Sequence, residues 1–302
     1  MNTYKQDLTA HTKVVAPPQS FDIRVGGKTV KLHAIQSGEV AVKANFYEKK
    51  GPGPLSKLNI LLGNAYTPYL PIWVWVIEHP EGSVLIDTGE RHLANDLNKH
   101  LANESWMLRF QFMHAARFDV LREQEVDLQL KQLGIQTADI AKIVLTHLHL
   151  DHTDGLVHFP KTEVLVSKHE MRTAKNTMPT TYPKGLKMKG VDLKCGDFQY
   201  FNRVAPLSAS GDLWLVETPG HTHGHAAVLW KTDEFDIIFA GDVTYDQNQL
   251  LQGTLAGVHS DFAASRKTMR NILAHASKFP TLYLPSHDVN ALNNLRQRRF
   301  LS

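Results

Sequence analysis

The stretch "THLHLDHTDG" concentrates side chains that bind metal ions in proteins. It places His147, His149, Asp151 and His152 directly behind the apolar run "AKIVL". In an extended chain of period two, the first three of these residues point to one side, and the leucines between them point to the other. They span too great a length for one ion, whose ligands lie about 2 Å from it. The spacing therefore predicts two ions, with the two leading histidines on the first and Asp151 with His152 on the second.

Neither ion has enough ligands in this stretch, and further candidates follow other apolar runs. "LWLVETPG" leads to His221, "IIFAG" to Asp242 and "LYLPS" to His287. A carboxylate has two oxygens, which suits Asp242 to bridge two cations. These ligands offer nitrogen or oxygen and no sulfur, a set that suits zinc but also manganese, iron or cobalt. Because metal binding lowers the pKa of water from about 15.7 to near 7, such a site would supply a nucleophile for carbonyl or phosphoryl centres, and the residues indicate hydrolysis.

The candidate ligands follow segments that have the pattern of β-strands. Short apolar runs rich in β-branched residues predict strands at 141–146, 213–218, 226–232, 236–241 and 281–286. Two more strands are predicted within 71–90, a strand that runs into a helix at 162–175, and an amphipathic helix at 261–279. Rigid scaffolds usually place functional groups in the loops beyond strand ends. We therefore expect the ligands to converge at one edge of a layered domain of helices and strands.

The region 91–135 has helical periodicity. In it Trp106, Phe110 and Met113 recur at i, i+4 and i+7, which places them on one helix face. Such a face more often packs in the core than lines a ligand pocket, and we expect core packing here. The alternative is that this face, with Met107 or Phe112, lines a groove for an acyl chain near the metals.

The bulk properties are those of a globular protein with a formal net charge of only +3 over 302 residues. This charge gives no reason to expect nucleic acid or an anionic membrane as a partner. No apolar run is long enough to span a membrane, and the polar N-terminus lacks the apolar core of a signal peptide. A single cysteine, Cys195, indicates a reducing compartment. We expect a cytoplasmic protein with an N-terminal arm at 1–20 and one domain at 21–302.

In this order, "THLHLDHTDG", "TPGHTHGH", "AGD" and "PSH" resemble the metallo-β-lactamase superfamily of dinuclear hydrolases. The resemblance spans residues 70–290 and implies an α+β fold, a four-layer αββα sandwich with two metal ions at one edge. Asp87, in "DTG", would support a ligand rather than be one. The resemblance implies His147, His149 and His221 as ligands of the first ion. It implies Asp151, His152 and His287 as ligands of the second ion, and Asp242 as the ligand that bridges both.

Within the superfamily the sequence is most similar to the N-acyl-homoserine lactone lactonases, the quorum-quenching branch. There a tyrosine three residues after the bridging aspartate contacts the substrate carbonyl, and "GDVTYD" places Tyr245 at that position. Class B β-lactamases generally have cysteine where this chain has Asp242. Glyoxalase II adds a helical extension for which the chain leaves no room after His287, and the mild charge disfavours ribonuclease Z-like nucleases. Departures from the branch are a longer N-terminal arm, His223 in "TPGHTHGH", and Asp154 in place of a common glycine.

The resemblance implies a hydrolase that opens the lactone ring of N-acyl-homoserine lactones. A hydroxide bridging the ions would attack the carbonyl carbon, Tyr245 and the first ion would stabilise the oxyanion, and Asp242 would shuttle the proton. The expected cofactors are two divalent ions, zinc before manganese, iron or cobalt. A homodimer is expected by analogy with related lactonases. The alternatives are a phosphotriesterase or aryl esterase with the same metals, a nuclease, and a non-catalytic scaffold that retains its ligands.

Histidine is abundant, with 17 residues, and several lie outside the implied ligand set. We expect His225 to form a hydrogen bond that supports a ligand, and His223 to face solvent. Four others lack ligand spacing and are expected to be ordinary polar residues: His158, His169, His259 and His275.

Overall fold

A computed structural model describes residues 15–51, 63–198 and 200–301. Within them the chain forms two β-sheets that pack face to face, with helices on the outer sides. Residues 1–14 of the predicted arm lie outside the described residues. The first strand begins at Gln19, inside the range predicted for the arm.

The first sheet positions the "HLHLDH" segment. Among the described residues its strands are β1 (Gln19–Val25), β2 (Lys28–Val42), β3 (Leu70–Ile77), β4 (Ser83–Ile86), β5 (Ala116–Asp119), β6 (Ile140–Leu145), β7 (Glu163–Ser167) and β8 (Met188–Val191). Their order is β1-β2-β3-β4-β6-β7-β8, and β5 pairs with β2. Because β4, β6, β7 and β8 run parallel, the segments that follow β4 and β6 leave the sheet at the same edge.

The second sheet positions the remaining candidate ligands. Its strands are β9 (Lys194–Phe198), β10 (Phe201–Pro206), β11 (Leu213–Glu217), β12 (Ala226–Lys231), β13 (Asp236–Gly241) and β14 (Thr281–Pro285). Their order is β14-β13-β12-β11-β10-β9. β13 and β14 are parallel, whereas β11, β12 and β13 alternate in direction. The ends of β11, β13 and β14 therefore lie at one edge.

Short helices cover the sheets and connect the strands. They are α1 (Ala44–Tyr47), α2 (Leu97–His100), α3 (Trp106–Ala115), α4 (Val126–Gln132), α5 (Leu150–Thr153), α6 (Lys168–Thr173), α7 (Gln247–Gln252), α8 (Phe262–Ala276) and α9 (Ala291–Arg296). The N-terminus of α8 is capped by Asp261, whose Oδ1 accepts the amide hydrogens of Ala263 and Ala264 at 2.9 Å. Among the described residues no helix is long and apolar enough to cross a membrane.

The cores lie between the four layers. In β3, Trp75 faces the second sheet, with its ring centroid 5.6 Å from that of Phe239, whereas Val74 and Val76 face the helices outside the first sheet. Helix α4 packs on that outer side, and α7 and α8 pack on the outer side of the second sheet. Because both faces of the central strands are buried, the sequences of these strands are continuous apolar runs. The predicted α+β fold, a four-layer αββα sandwich, is confirmed.

The prediction of core packing for one helix face is wrong. Trp106, Phe110 and Met113 lie on α3 but are 74%, 58% and 38% exposed. Leu108 and Phe112, on the other side of α3, pack against the core. Spacing shows that a helix face is apolar, but it does not show whether another layer covers that face.

Candidate metal centre

The two sheets are joined at the edge where the candidate ligands emerge. The amide of Ala226, which begins β12, donates a 3.0 Å hydrogen bond to the carbonyl of Thr146, which follows β6. The amide of Trp73 in β3 donates to the carbonyl of Ser286, which follows β14, at 2.9 Å. These bonds bring the loops after β6, β11, β13 and β14 together.

Three histidines form the first cluster. Nδ1 of His149 lies 3.0 Å from Nε2 of His147 and 2.9 Å from Nε2 of His221. Burial, with the neighbouring imidazoles, lowers the pKa of His147 and of His221 well below the ordinary value, which keeps both rings neutral. Neutral imidazoles are the form that binds metals, and these separations suit one ion with ligands at about 2 Å.

Asp151, His152 and His287 form the second cluster. Nε2 of His287 lies 3.4 Å from Oδ2 of Asp151, and Nε2 of His152 lies 3.9 Å from Oδ1. Burial alone would lower the pKa of His152, but the carboxylates of Asp87, Asp242 and Asp151 outweigh burial and raise it well above its ordinary value. The cluster is rich in negative charge and attracts a cation.

Asp242 lies between the two clusters. Its Oδ1 is 3.3 Å from Nε2 of both His152 and His287, and its Oδ2 is 3.4 Å from Nε2 of His221. Burial raises the pKa of Asp242, but the surrounding histidines outweigh burial and hold it well below its ordinary value, so the carboxylate is ionised. Each oxygen faces one cluster, which is the arrangement that a bridging carboxylate needs.

The residues fit two divalent cations. Within the described part of the chain, Nε2 of His152 and Oδ1 of Asp242 are buried and have no hydrogen-bond partner. Buried polar atoms normally have a hydrogen-bond partner, so two unpartnered atoms that face each other indicate a binding site for a ligand between them. The set of imidazole nitrogens and carboxylate oxygens suits zinc and other first-row divalent ions.

Asp87 supports the second cluster, in line with its predicted role. Its Oδ2 accepts a 2.8 Å hydrogen bond from Nδ1 of His152, and its Oδ1 accepts the amide hydrogen of Thr146 at 2.8 Å. The bond at Nδ1 fixes the tautomer of His152 and leaves Nε2 free to bind an ion. Asp87 has a φ of 58°, an unusual conformation for a non-glycine residue.

His225 holds the backbone at Asp242. Its Nδ1 donates to the hydroxyl of Thr218 at 2.9 Å, and its Nε2 accepts the amide hydrogen of Asp242 at 3.1 Å. Burial lowers the pKa of His225 to about 3, so Nε2 stays available as an acceptor. Position 241, directly before Asp242, requires glycine, because a Cβ there would lie 2.7 Å from Nε2 of His225.

Two residues near the first cluster have roles that the sequence did not suggest. His259, predicted to be an ordinary polar histidine, is buried and packs edge-on against His221, with ring centroids 5.6 Å apart. Glu170, in α6, is fully buried, and its carboxylate accepts the amide hydrogen of Leu148 at 3.1 Å and the hydroxyl hydrogen of Thr222 at 2.6 Å. Glu170 thus joins the loops that carry His147 and His221, and its segment "SKHEMR" has no motif that indicates this.

The other predicted histidines lie away from the clusters or face solvent. His223 is exposed, as expected, and so is His169. His158 pairs with Glu125 at 2.8 Å and buried His275 pairs with Asp236 at 2.9 Å. These contacts support the prediction that they are not part of the centre.

A chamber opens onto both clusters and contains Tyr245. The ring of Tyr245 is buried, 5.4 Å from the ring of His287 and 5.3 Å from that of Tyr47. Burial raises the pKa of Tyr245 well above its ordinary value, so the phenol keeps its proton. The amide of Tyr245 donates to Gln249 at 2.9 Å, which fixes the backbone. Most of the remaining wall is apolar and includes Val40, Val42, Phe46, Phe112, Phe118 and Val258, and the polar side chains of Gln111 and Asn176 complete it.

Comparison with known proteins agrees with this geometry. The sequence pattern of the metallo-β-lactamase superfamily matches residues 67–284. The N-acyl homoserine lactonase AttM of Rhizobium radiobacter is 23% identical over 277 residues, which cover 89% of this chain and 97% of AttM.

Solved structures share the fold. A structure of an N-acyl homoserine lactone hydrolase, with the product N-hexanoyl-L-homoserine bound at its catalytic metal centre, superimposes with a TM-score of 0.69 at 19% identity. The match covers 87% of this chain and 95% of that one. AidC, a dizinc quorum-quenching lactonase, superimposes with a TM-score of 0.59 at 17% identity, and the match covers 90% of this chain and 91% of AidC.

The match to the superfamily's sequence pattern extends over most of the chain and includes every candidate ligand except His287. The chain therefore belongs to the metallo-β-lactamase superfamily and is a metal-dependent hydrolase.

Proposed function

We propose that the protein hydrolyses N-acyl-homoserine lactones by opening the lactone ring. The observation that carries this proposal is the chamber, in which the two ligand clusters, the Tyr245 ring and an apolar wall adjoin one another. A substrate with one polar ester ring and one apolar chain matches such a chamber. The names of the relatives, among them AttM, support the same substrate class.

We propose further that the centre holds two divalent cations, zinc in the first place. His147, His149 and His221 would bind one ion, Asp151, His152 and His287 the other, and Asp242 would bridge them. The dizinc centre named for AidC supports this choice. When bound, such ions supply an activated water nucleophile at neutral pH and polarise an ester carbonyl.

Tyr245 is the proposed hydrogen-bond donor to the substrate. Its phenol stays protonated because burial raises its pKa, so the hydroxyl can donate to the lactone carbonyl oxygen. That hydrogen bond strengthens as negative charge develops on the oxygen, and it therefore stabilises the transition state more than the bound substrate.

Asp242 is the proposed carrier of the proton. Its carboxylate is ionised, since the surrounding histidines lower its pKa, and it can accept a proton from the attacking water. The same proton can then pass to the ring oxygen as the carbon–oxygen bond breaks, which yields an alcohol and a carboxylic acid, and the acid ionises by releasing its remaining proton to solvent.

The apolar wall is the proposed site of the acyl chain. Phe46, Phe112 and Val258 line the chamber beside the clusters. Contact with them removes both surfaces from water, and each buried methylene contributes about 0.8 kcal/mol. Affinity should therefore rise with chain length until the chain leaves the wall.

Parallel turnover assays test this function. Purified enzyme loaded with zinc is compared with chelator-stripped enzyme on an N-acyl-homoserine lactone, a paraoxon-type phosphotriester and an aryl ester. We expect metal-dependent lactone hydrolysis with kcat/KM well above that for the other two substrates. Lactone hydrolysis no faster than in stripped enzyme would exclude the proposal, and faster phosphotriester turnover would favour the phosphotriesterase.

A further inference from the structure

A second cavity continues outward from the chamber. We call it the outer groove and define it by Lys43, Phe46, Met107, Phe110, Lys175 and His223. Its volume is about 540 Å³, and it shares lining residues with the chamber, including Phe46, Asn176 and Val258. It also reaches His259, which packs against His221 of the first cluster. The outer groove thus adjoins the chamber on the side away from the metal centre.

One side of the outer groove is apolar although it is open to water. Met107 and Phe110, both on α3, are 63% and 58% exposed. Large apolar side chains that remain exposed beside a cavity mark ligand-binding surfaces more often than chance. This side continues the apolar wall of the chamber, where Phe46 belongs to both cavities.

Basic residues also line the outer groove. Lys175 supplies an exposed ammonium group and His223 an exposed imidazole, whereas Lys43 is buried and His114 packs against Phe110 on α3 with ring centroids 4.1 Å apart. Among the lining residues that the structure describes, none is an aspartate or glutamate. Lys175 is exposed and forms no ion pair with any residue in the described ranges. A concave site lined by positive charge and no negative charge raises the local concentration of anions.

We propose that the outer groove binds the far end of an acyl chain that carries a carboxylate. This inference rests on the proposed lactonase function, in which the lactone ring occupies the metal centre and the chain follows the apolar wall outward. An uncharged chain end would contact Met107 and Phe110 but leave the ammonium group of Lys175 unused. A terminal carboxylate can pair with Lys175 while the rest of the chain contacts the apolar residues, so the preferred substrates are lactones whose acyl chains end in an anionic group.

Paired substrates test the proposal. For each length in a series of acyl chains, homoserine lactones ending in a methyl group or a carboxylate are compared by kcat/KM with zinc-loaded enzyme. We expect the carboxylate form to be preferred over a defined range of lengths. Lys175→Met should then lower kcat/KM for that form about two- to fivefold and leave the methyl form unchanged, since an exposed ion pair has an effect of this order. Added salt should reduce the preference, because it screens exposed charges.

Lys161→Met is the matched control. Lys161 is also exposed and its replacement changes the net charge equally, but it does not line the outer groove. Equal losses in both variants would indicate a general field effect and overturn the proposal. Equal losses on both substrates in Lys175→Met, or a preference for the methyl form at every length, would also overturn it.

A binding experiment distinguishes failure of this proposal from failure of the lactonase function. Non-hydrolysable lactam analogues with the two chain ends are titrated into zinc-loaded protein by calorimetry. If no lactone is hydrolysed but the carboxylate lactam binds more tightly in a Lys175-dependent way, the lactonase function fails and the anion site stands. If lactones are hydrolysed without discrimination between chain ends, the function stands and the anion site is excluded.

Discussion

Glu170 and Thr222 join the two loops that carry the first histidine cluster. The hydroxyl of Thr222 donates a 2.6 Å hydrogen bond to Oε2 of Glu170, while Oε1 of the same carboxylate accepts the amide hydrogen of Leu148. Leu148 lies between two candidate ligands, and Thr222 directly follows a third. One buried side chain therefore helps to fix the relative position of ligands from the two sheets.

Glu170→Gln should weaken metal binding at the first cluster. A neutral amide weakens both bonds, because its oxygen accepts less strongly than a carboxylate and its NH2 group can only donate to the Thr222 hydroxyl, and weakened support of this kind typically lowers metal affinity 10- to 100-fold. Competition with a chelator measures this affinity independently of turnover. Glu163→Gln, which removes an exposed partner of Lys189, is the control. Unchanged zinc affinity in the folded Glu170 variant would contradict a positioning role.

Tyr245→Phe should reduce lactone turnover and leave metal content unchanged. Removal of one hydrogen bond to a charged oxygen costs about 1.5–3 kcal/mol, which corresponds to a loss of about 10- to 100-fold in kcat/KM. The remaining ring still packs between Tyr47 and His287, so the fold should be unaffected. Tyr69→Phe, at an exposed tyrosine, is the control. A wild-type rate in Tyr245→Phe would remove this residue from the mechanism.

Asp154→Asn should destabilise the protein. Asp154 is fully buried, and both oxygens accept hydrogen bonds from Arg91, at 2.9 and 3.0 Å. Removing one partner of a buried pair leaves the other charge without compensation and costs about 3 kcal/mol. Urea unfolding measures this loss. Asp22→Asn, which breaks the exposed pair with Lys31, should cost less than about 1 kcal/mol. Similar losses in both variants would show that burial of the pair has no effect.

Asp212 should make stability depend on pH in the acid range. Burial raises its pKa, but hydrogen bonds from Ser208, Ser210 and His79 outweigh burial and lower it to about 2. A depressed folded-state pKa gives stability that is present above the unfolded-state pKa, which is about 3.9, and lost as the pH falls toward 2. Asp212→Asn should therefore be less stable than wild type at pH 6, and the difference should shrink below pH 4. Urea midpoints across this range that fall in parallel for both proteins would refute this.

The sequence predicted the parts of the structure that depend on local pattern. The spacing in "HLHLDH" and the apolar runs before His221, Asp242 and His287 were enough to predict two clusters at one sheet edge. The resemblance to the lactonase branch, through the offset of Tyr245 from Asp242, singled out a residue that lies in the chamber. In each case the residue follows a strand whose end is visible in the sequence.

Contacts between distant segments were not predictable from one sequence. Glu170 and His259 acquire their roles only because α6 and the loop before α8 pack against the ligand loops, and their own segments contain no motif. Strands β9 and β10 are short and polar, so they lack an apolar run that would reveal them. The exposed face of α3 shows the converse, since its apolar spacing suggested a covering layer that the described structure does not contain.

The division of ligands between the sheets has a consequence for folding. The first sheet contributes His147, His149, Asp151 and His152, and the second contributes His221, Asp242 and His287. Each proposed ion would therefore have ligands from both sheets and would cross-link the two halves of the sandwich. A ligand that binds only the native state stabilises it by mass action. The concentration of available metal would therefore affect the free energy of unfolding. Loss of the ions would therefore lower the free energy needed to separate the two halves.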